Sequence, residues 1–130
     1  MEWEKYYNEG LGYLRTANGA VKKNKLGNQV VYNVISLAIE NMLTGILIYN
    51  NILPEHSYIG NMLRELKQKY QVPESFFLEV RLINKYMDFC SLEIKDEVIP
   101  GDEDILQMCT FMNDLKEWID KQLNEVCELS

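Results

Sequence analysis

Residues 29–49 read QVVYNVISLAIENMLTGILIY, and this segment dominates the architecture of the chain. Wound as a helix it is apolar on most sides, which is typical of the central helix of a bundle. Its polar exceptions recur at steps of three and four and therefore share one narrow strip; they are Asn33, Ser36, Glu40 and Thr44. Because these residues interrupt the apolar run before about 18 positions, we expect a core helix and no membrane span.

Helical periodicity also marks the segments on either side. Apolar residues recur at steps of three and four from Trp3 to Val21, and Gly19 together with residues 22–28 predicts a turn after this first helix. Pro54 prevents the central helix from continuing directly into the next one. Ser57 is the predicted N-cap of a third helix.

A fourth helix is predicted to begin at residues 72–74, because proline is favoured in a first turn. Residues 91–101 are acidic and contain Pro100, which predicts a loop, and Asp102 is the predicted cap of a fifth helix. The residues expected to face inward on these two helices are Phe76, Val80, Ile83, Met87 and Cys90, then Ile105, Met108, Met112, Leu115, Ile119 and Val126. The 130 residues thus predict a single all-α domain, an up-and-down antiparallel bundle of four to five helices.

Charge is unevenly distributed along the chain. The formal net charge is −7; residues 1–70 hold eight basic and six acidic side chains, whereas residues 71–130 hold five and fourteen. Such a balance argues against general DNA binding, which needs a basic surface. A surface of two signs can still pair with a second copy or offer a local anion site, for example at Lys22, Lys23 and Lys25 or at Arg64, Lys67 and Lys69.

Metal and cofactor motifs are missing from the sequence. His56 is the only histidine, and Cys90, Cys109 and Cys127 are too widely spaced for a zinc site. No glycine-rich phosphate loop or nucleophile elbow occurs. With no apparent signal segment and an odd number of cysteines, we expect a cytoplasmic protein with reduced thiols and no cofactor.

The polar strip on the central helix is the best candidate site in the sequence. A carboxylate such as Glu40 within an apolar helix must pair, accept hydrogen bonds or take up a proton. In one interpretation Glu40 holds a neighbouring helix, with Arg15, Arg64 or Arg81 as its partner. In the other, the strip lines a groove for a ligand or a partner.

Residues 36–66 resemble the centre of the HEPN domain. The likeness rests on Ala38–Glu40, on the turn at Leu53–Pro54, on His56 and on residues 62–66, MLREL. This resemblance implies an up-and-down helical bundle, often a homodimer, from prokaryotic defence, toxin–antitoxin or nucleotidyltransferase-linked systems. It also implies a groove beside Glu40 and His56.

Active HEPN proteins are metal-independent ribonucleases in which four to six residues separate an arginine from a following histidine. Residues 49–51, which precede His56 by that spacing, contain no arginine. By resemblance, a degenerate remnant of the motif would comprise Arg81, Asn84 and Tyr86. Asparagine takes up no proton at neutral pH, so general-base catalysis there is not expected.

Three functions remain open from the sequence. The first is a non-catalytic HEPN-like module that binds a nucleotide, an RNA end or a partner protein through Asn33, Ser36, Glu40, Thr44 and His56, as a homodimer. The second is a divergent ribonuclease toxin. The third is a subunit that serves only assembly.

Overall fold

A computed structural model describes residues 2–23, 26–54, 58–91 and 99–129, with side chains except those of residues 88–91 and 125–129. The described residues form helices and connecting turns, with no β-strand. This confirms the predicted all-α bundle. The helices are α1 (Glu2–Lys23), α2 (Asn28–Tyr49), α3 (Ile59–Leu66), α4 (Glu74–Ser91) and α5 (Asp102–Leu129).

α2 is the core helix, as its composition predicts. It packs against α1, α3 and α5, and its middle is fully enclosed at Ile35, Ile39 and Leu43. By length and composition α2 also resembles a membrane span, but 61% of its most apolar window is buried inside the bundle. The apolar character of α2 is therefore explained by its place in the core.

α1 and α2 approach closely at two glycines. A Cβ atom on Gly10 would lie 3.0 Å from the carbonyl oxygen of Ala38, and one on Gly45 would lie 3.0 Å from that of Trp3. Each glycine thus lets the backbone of one helix touch the other. The two contacts fix the antiparallel alignment of the α1–α2 pair, one near the middle of both helices and one at the end where α1 begins and α2 finishes.

α3 runs in the same direction as α2, so the bundle is all-α as predicted but its helices do not alternate up and down at this step. The Thr44 hydroxyl lies 3.7 Å from the Met62 sulfur, and the Asn50 amide donates to the Tyr70 hydroxyl at 3.0 Å. Later residues of α2 therefore face later residues of the α3 segment.

α4 and α5 close the remaining side of the bundle through aromatic contacts. Phe76 packs edge-on against Phe111 and Trp118, at centroid distances of 5.3 and 5.9 Å. At the opposite end of α4, the buried Tyr86 donates a hydrogen bond to Asp104 on α5. These contacts hold α4 antiparallel to α5.

Several predicted boundaries need correction. Gly19 lies within α1, because one glycine does not stop a helix whose apolar face is well packed. The N-cap of α3 is Tyr58, not Ser57, and it makes no side-chain cap. Asp102 lies inside the first turn of α5, where its side chain accepts a hydrogen bond from Asn28 at 2.8 Å. The predicted acidic loop lies largely outside the described residues, as do the side chains of Cys90 and Val126.

Candidate functional site

The polar strip of α2 spans the border between core and surface. Ser36 is buried at 8% exposure, Glu40 and Thr44 are half-buried, and Asn33 is exposed. The structure thus places these four predicted residues along one edge of α2. His56, the fifth predicted residue of the groove, lies outside the described residues.

Hydrogen bonds within the strip mostly return to α2 itself. The Thr44 hydroxyl donates to the Glu40 carbonyl oxygen at 2.7 Å, and the Gln29 amide donates to Asn33 Oδ1 at 3.3 Å. Within the described part of the chain, the buried Ser36 hydroxyl has no hydrogen-bond partner. An unsatisfied buried hydroxyl is unfavourable, so Ser36 is a destabilising polar group at the border of the core.

Glu40 is the electrostatic anomaly of the strip. Burial raises the pKa of its carboxyl above the ordinary value. No ion pair to Glu40 occurs among residues 2–23, 26–54, 58–87 and 99–124, whose side chains are described. The predicted arginine partners Arg15, Arg64 and Arg81 are all exposed, and Arg64 donates instead to Asn61. Glu40 therefore gains no described arginine partner in return for its burial.

The three residues of the predicted ribonuclease remnant do not share one side of α4: Arg81 and Asn84 are neighbours on the helix surface, and Tyr86 lies away from both. Arg81 is exposed, and the Asn84 amide faces α3, where it would lie 3.9 Å from a Cβ on Gly60. Tyr86 is roughly 140° around the helix from Arg81. Its ring packs at 5.9 Å from that of Tyr32, and its hydrogen bond to Asp104, together with burial, raises the pKa of its hydroxyl. Arg81 and Tyr86 do not share a face.

Next to the strip, α2 presents a surface that sequence reasoning did not single out. Val30 and Leu37 are 48% and 39% exposed, and the exposed Asn33 and half-buried Asn41 lie beside them. We call these four residues the α2 face. Glu40 is the only charged residue in the 22 residues of α2, so the α2 face carries no charge. Composition alone could have revealed the lack of charge on α2, but not that this side of the helix is exposed.

A polar network between α1 and α5 was also missed. The amides of Asn18 and Asn113 bond reciprocally at 3.0 and 2.9 Å, and the buried Cys109 thiol donates to Asn18 at 3.1 Å. Burial raises the pKa of that thiol, which favours the unreactive protonated form. The partners are about 90 positions apart in sequence, and no local pattern connects them.

No chemistry of a metal or a known family can be assigned. The described residues contain no group of three or more histidine, cysteine, aspartate or glutamate side chains that could hold a metal ion. Models of known protein families, curated proteins and solved structures give no significant match to the chain. The resemblance to the HEPN domain therefore stays a prediction.

Proposed function

We propose that this protein is a non-catalytic helical-bundle binding module that acts as a homodimer, with the α2 face as its interface. The observation that carries the proposal is the absence of charge from this exposed face, in a chain with a net charge of −7. Interface cores are depleted of charged residues relative to the rest of a protein surface. The lack of charge on its four residues also limits like-charge repulsion between two acidic copies, with the half-buried Glu40 at the edge of the face.

The hydrogen-bonding groups of the α2 face support an antiparallel pairing centred on Leu37. Asn33 accepts from Gln29 through its carbonyl oxygen, which leaves its NH₂ group as a donor. Asn41 donates to the Leu37 carbonyl at 2.8 Å, which leaves its side-chain oxygen as an acceptor. Both residues are four positions from Leu37, so a two-fold axis there brings Asn33 opposite Asn41 of the second copy, twice.

The lack of basic side chains on α2 favours a protein partner over a nucleotide. α2 contributes no basic side chain, and its one charged group is the carboxylate of Glu40. Phosphate recognition relies on arginine, lysine or free backbone N–H groups, which the middle of α2 does not offer. A nucleotide or RNA end, as in a nucleotidyltransferase-linked or toxin–antitoxin system, remains an alternative ligand of the module.

Native mass spectrometry and light scattering at micromolar concentration test the dimer. We expect the wild-type chain to be dimeric and Leu37→Glu to be monomeric, because two unpaired carboxylates would meet on the axis at a cost of several kcal/mol, raising the Kd roughly a hundredfold or more. Leu78→Glu is the matched control, since Leu78 is 61% exposed on α4. A monomeric wild type, or a Leu37→Glu dimer, would refute the proposed interface.

A separate experiment tests the antiparallel pairing of Asn33 with Asn41 of the second copy. Asn33→Asp combined with Asn41→Asp places like charges opposite each other and should separate the copies. Asn33→Lys combined with Asn41→Asp places opposite charges there and should keep the dimer. Equal behaviour of the two double variants would contradict the antiparallel pairing. The same spectra, recorded under denaturing conditions, would reveal any copurified nucleotide or RNA.

A further inference from the structure

A cavity, separate from the α2 face, lies at the end of the bundle where α1 ends and α2 and α5 begin. The cavity measures about 280 Å³ and opens between the three helices. Its walls are mainly apolar, and they include Val21, Leu26, Ile105 and Leu106. Leu26 and Leu106 are 42% and 55% exposed at this site. Since ligand pockets usually measure roughly 300–1,000 Å³, the cavity suits a small organic molecule and is too small for a nucleotide.

Two polar side chains, Asn28 and Asp102, complete the wall. The Asn28 amide nitrogen donates to the Pro100 carbonyl at 2.9 Å and to Asp102 Oδ1 at 2.8 Å. Both of its N–H groups are therefore used. The polar atoms that remain available to a ligand are the side-chain oxygen of Asn28 and the second carboxylate oxygen of Asp102. Among the described residues that line the cavity, the polar wall thus offers acceptors and a negative charge, with no side-chain donor left over.

We propose that this cavity binds a small primary amine with an apolar body. The ammonium group donates to Asp102 and to the Asn28 oxygen, and the hydrocarbon part lies against Val21, Ile105 and Leu106. Charge-assisted hydrogen bonds of this kind are stronger than neutral ones. An ammonium also suits an acceptor-only wall better than a hydroxyl or a carboxylate does.

The neighbouring charges are mixed. Lys22 and Lys23 are exposed at the end of α1, and the first turn of α5 presents free backbone N–H groups. That same turn holds Asp102, Glu103 and Asp104, whose carboxylates complement the positive helix end. A bound carboxylate would meet this acidic turn, and an ammonium would be attracted to it.

Three probes of similar shape test the chemistry: 2-phenylethylamine, 2-phenylethanol and 3-phenylpropionate, titrated into the full chain and followed by NMR shifts of α5 amides. We expect the amine to bind at least about tenfold more tightly than the alcohol, and the carboxylate not to bind. Asp102→Asn keeps the acceptor for Asn28 but removes the charge. It should abolish the preference for the amine while the alcohol binds as before.

Glu103→Gln is the control, because it removes a charge from the same turn at a residue that does not line the cavity. The variant should keep the preference for the amine. Tightest binding of the carboxylate, an unchanged preference in Asp102→Asn, or no binding of any probe would each overturn the proposal. The α2 face is not involved, so the dimer proposal stands or falls separately.

Discussion

Two glycines on α1, only two positions apart, should respond in opposite ways to alanine. A Cβ on Gly10 would lie 2.8 Å from Met42 Cγ and 3.0 Å from the backbone nitrogen of Met42, whereas nothing lies within 4 Å of a Cβ on Gly12. Both residues are helical, so both substitutions gain about 1 kcal/mol of helix propensity. The two substitutions differ because only the new methyl group at position 10 would press against α2.

At Gly10 the steric cost should exceed the gain. Met42 is fully buried and the Met42 nitrogen is backbone, so neither atom withdraws by a simple rotamer change. Overpacking of this kind costs about 1–3 kcal/mol, and because rigid backbone is involved we expect Gly10→Ala to lose about 1–2 kcal/mol net. Gly12→Ala should gain about 0.5–1 kcal/mol.

Thermal and urea unfolding, followed by circular dichroism, measure the difference. For a domain of this size the two variants should differ in Tm by roughly 6–12 °C. Gly19→Ala is a second control, because nothing lies within 4 Å of a Cβ there. If Gly10→Ala stabilised the protein as much as Gly12→Ala, the close α1–α2 contact would be refuted.

Three further changes probe the polar groups of the bundle. Burial raises the pKa of Glu40, so the folded state binds the carboxyl proton more tightly than the unfolded state does. The free energy of unfolding therefore falls as pH rises through the raised pKa. Glu40→Gln should raise Tm at neutral pH, and this gain should vanish in acid. Asn113→Ala should cost about 1–2 kcal/mol because it strands the Asn18 amide, and a double-mutant cycle with Asn18→Ala should show the two sites to be coupled. Tyr7→Phe removes a hydrogen bond to Asp120 and should lower the free energy of unfolding by about 1–2 kcal/mol in urea titrations. Burial and Asp120 raise the pKa of Tyr7, so the wild type loses stability above pH 10.0. The difference in stability between the wild type and Tyr7→Phe should therefore shrink there.

The helices were predictable because their signal is local. α2 was expected at residues 29–49 and spans Asn28–Tyr49, since its apolar periodicity and the following asparagines act within a few positions. The predicted helix boundaries were wrong where tertiary packing outweighs local helix propensity. Gly19 is a poor helix residue, yet α1 continues through it because α1 packs against α2 and α5 on both sides of that turn.

The candidate site was predictable only in part. Sequence spacing placed Asn33, Ser36, Glu40 and Thr44 on one strip, and the structure has them there. Their environment depends on which helices pack beside α2, and spacing along one helix does not contain that information. The expected arginine partner of Glu40 is an example, because the choice of partner is a property of the tertiary fold.

The neutrality of the α2 face is the feature that burial within one chain does not explain. Three sides of α2 must be apolar because α1, α3 and α5 cover them. The fourth side meets solvent at Val30, Asn33 and Leu37, where lysine or glutamate would satisfy the fold of a monomer equally well and would favour solubility. The homodimer that we propose would account for an exposed leucine between two asparagines with complementary free groups, because a second copy would bring the same three residues in the reverse order.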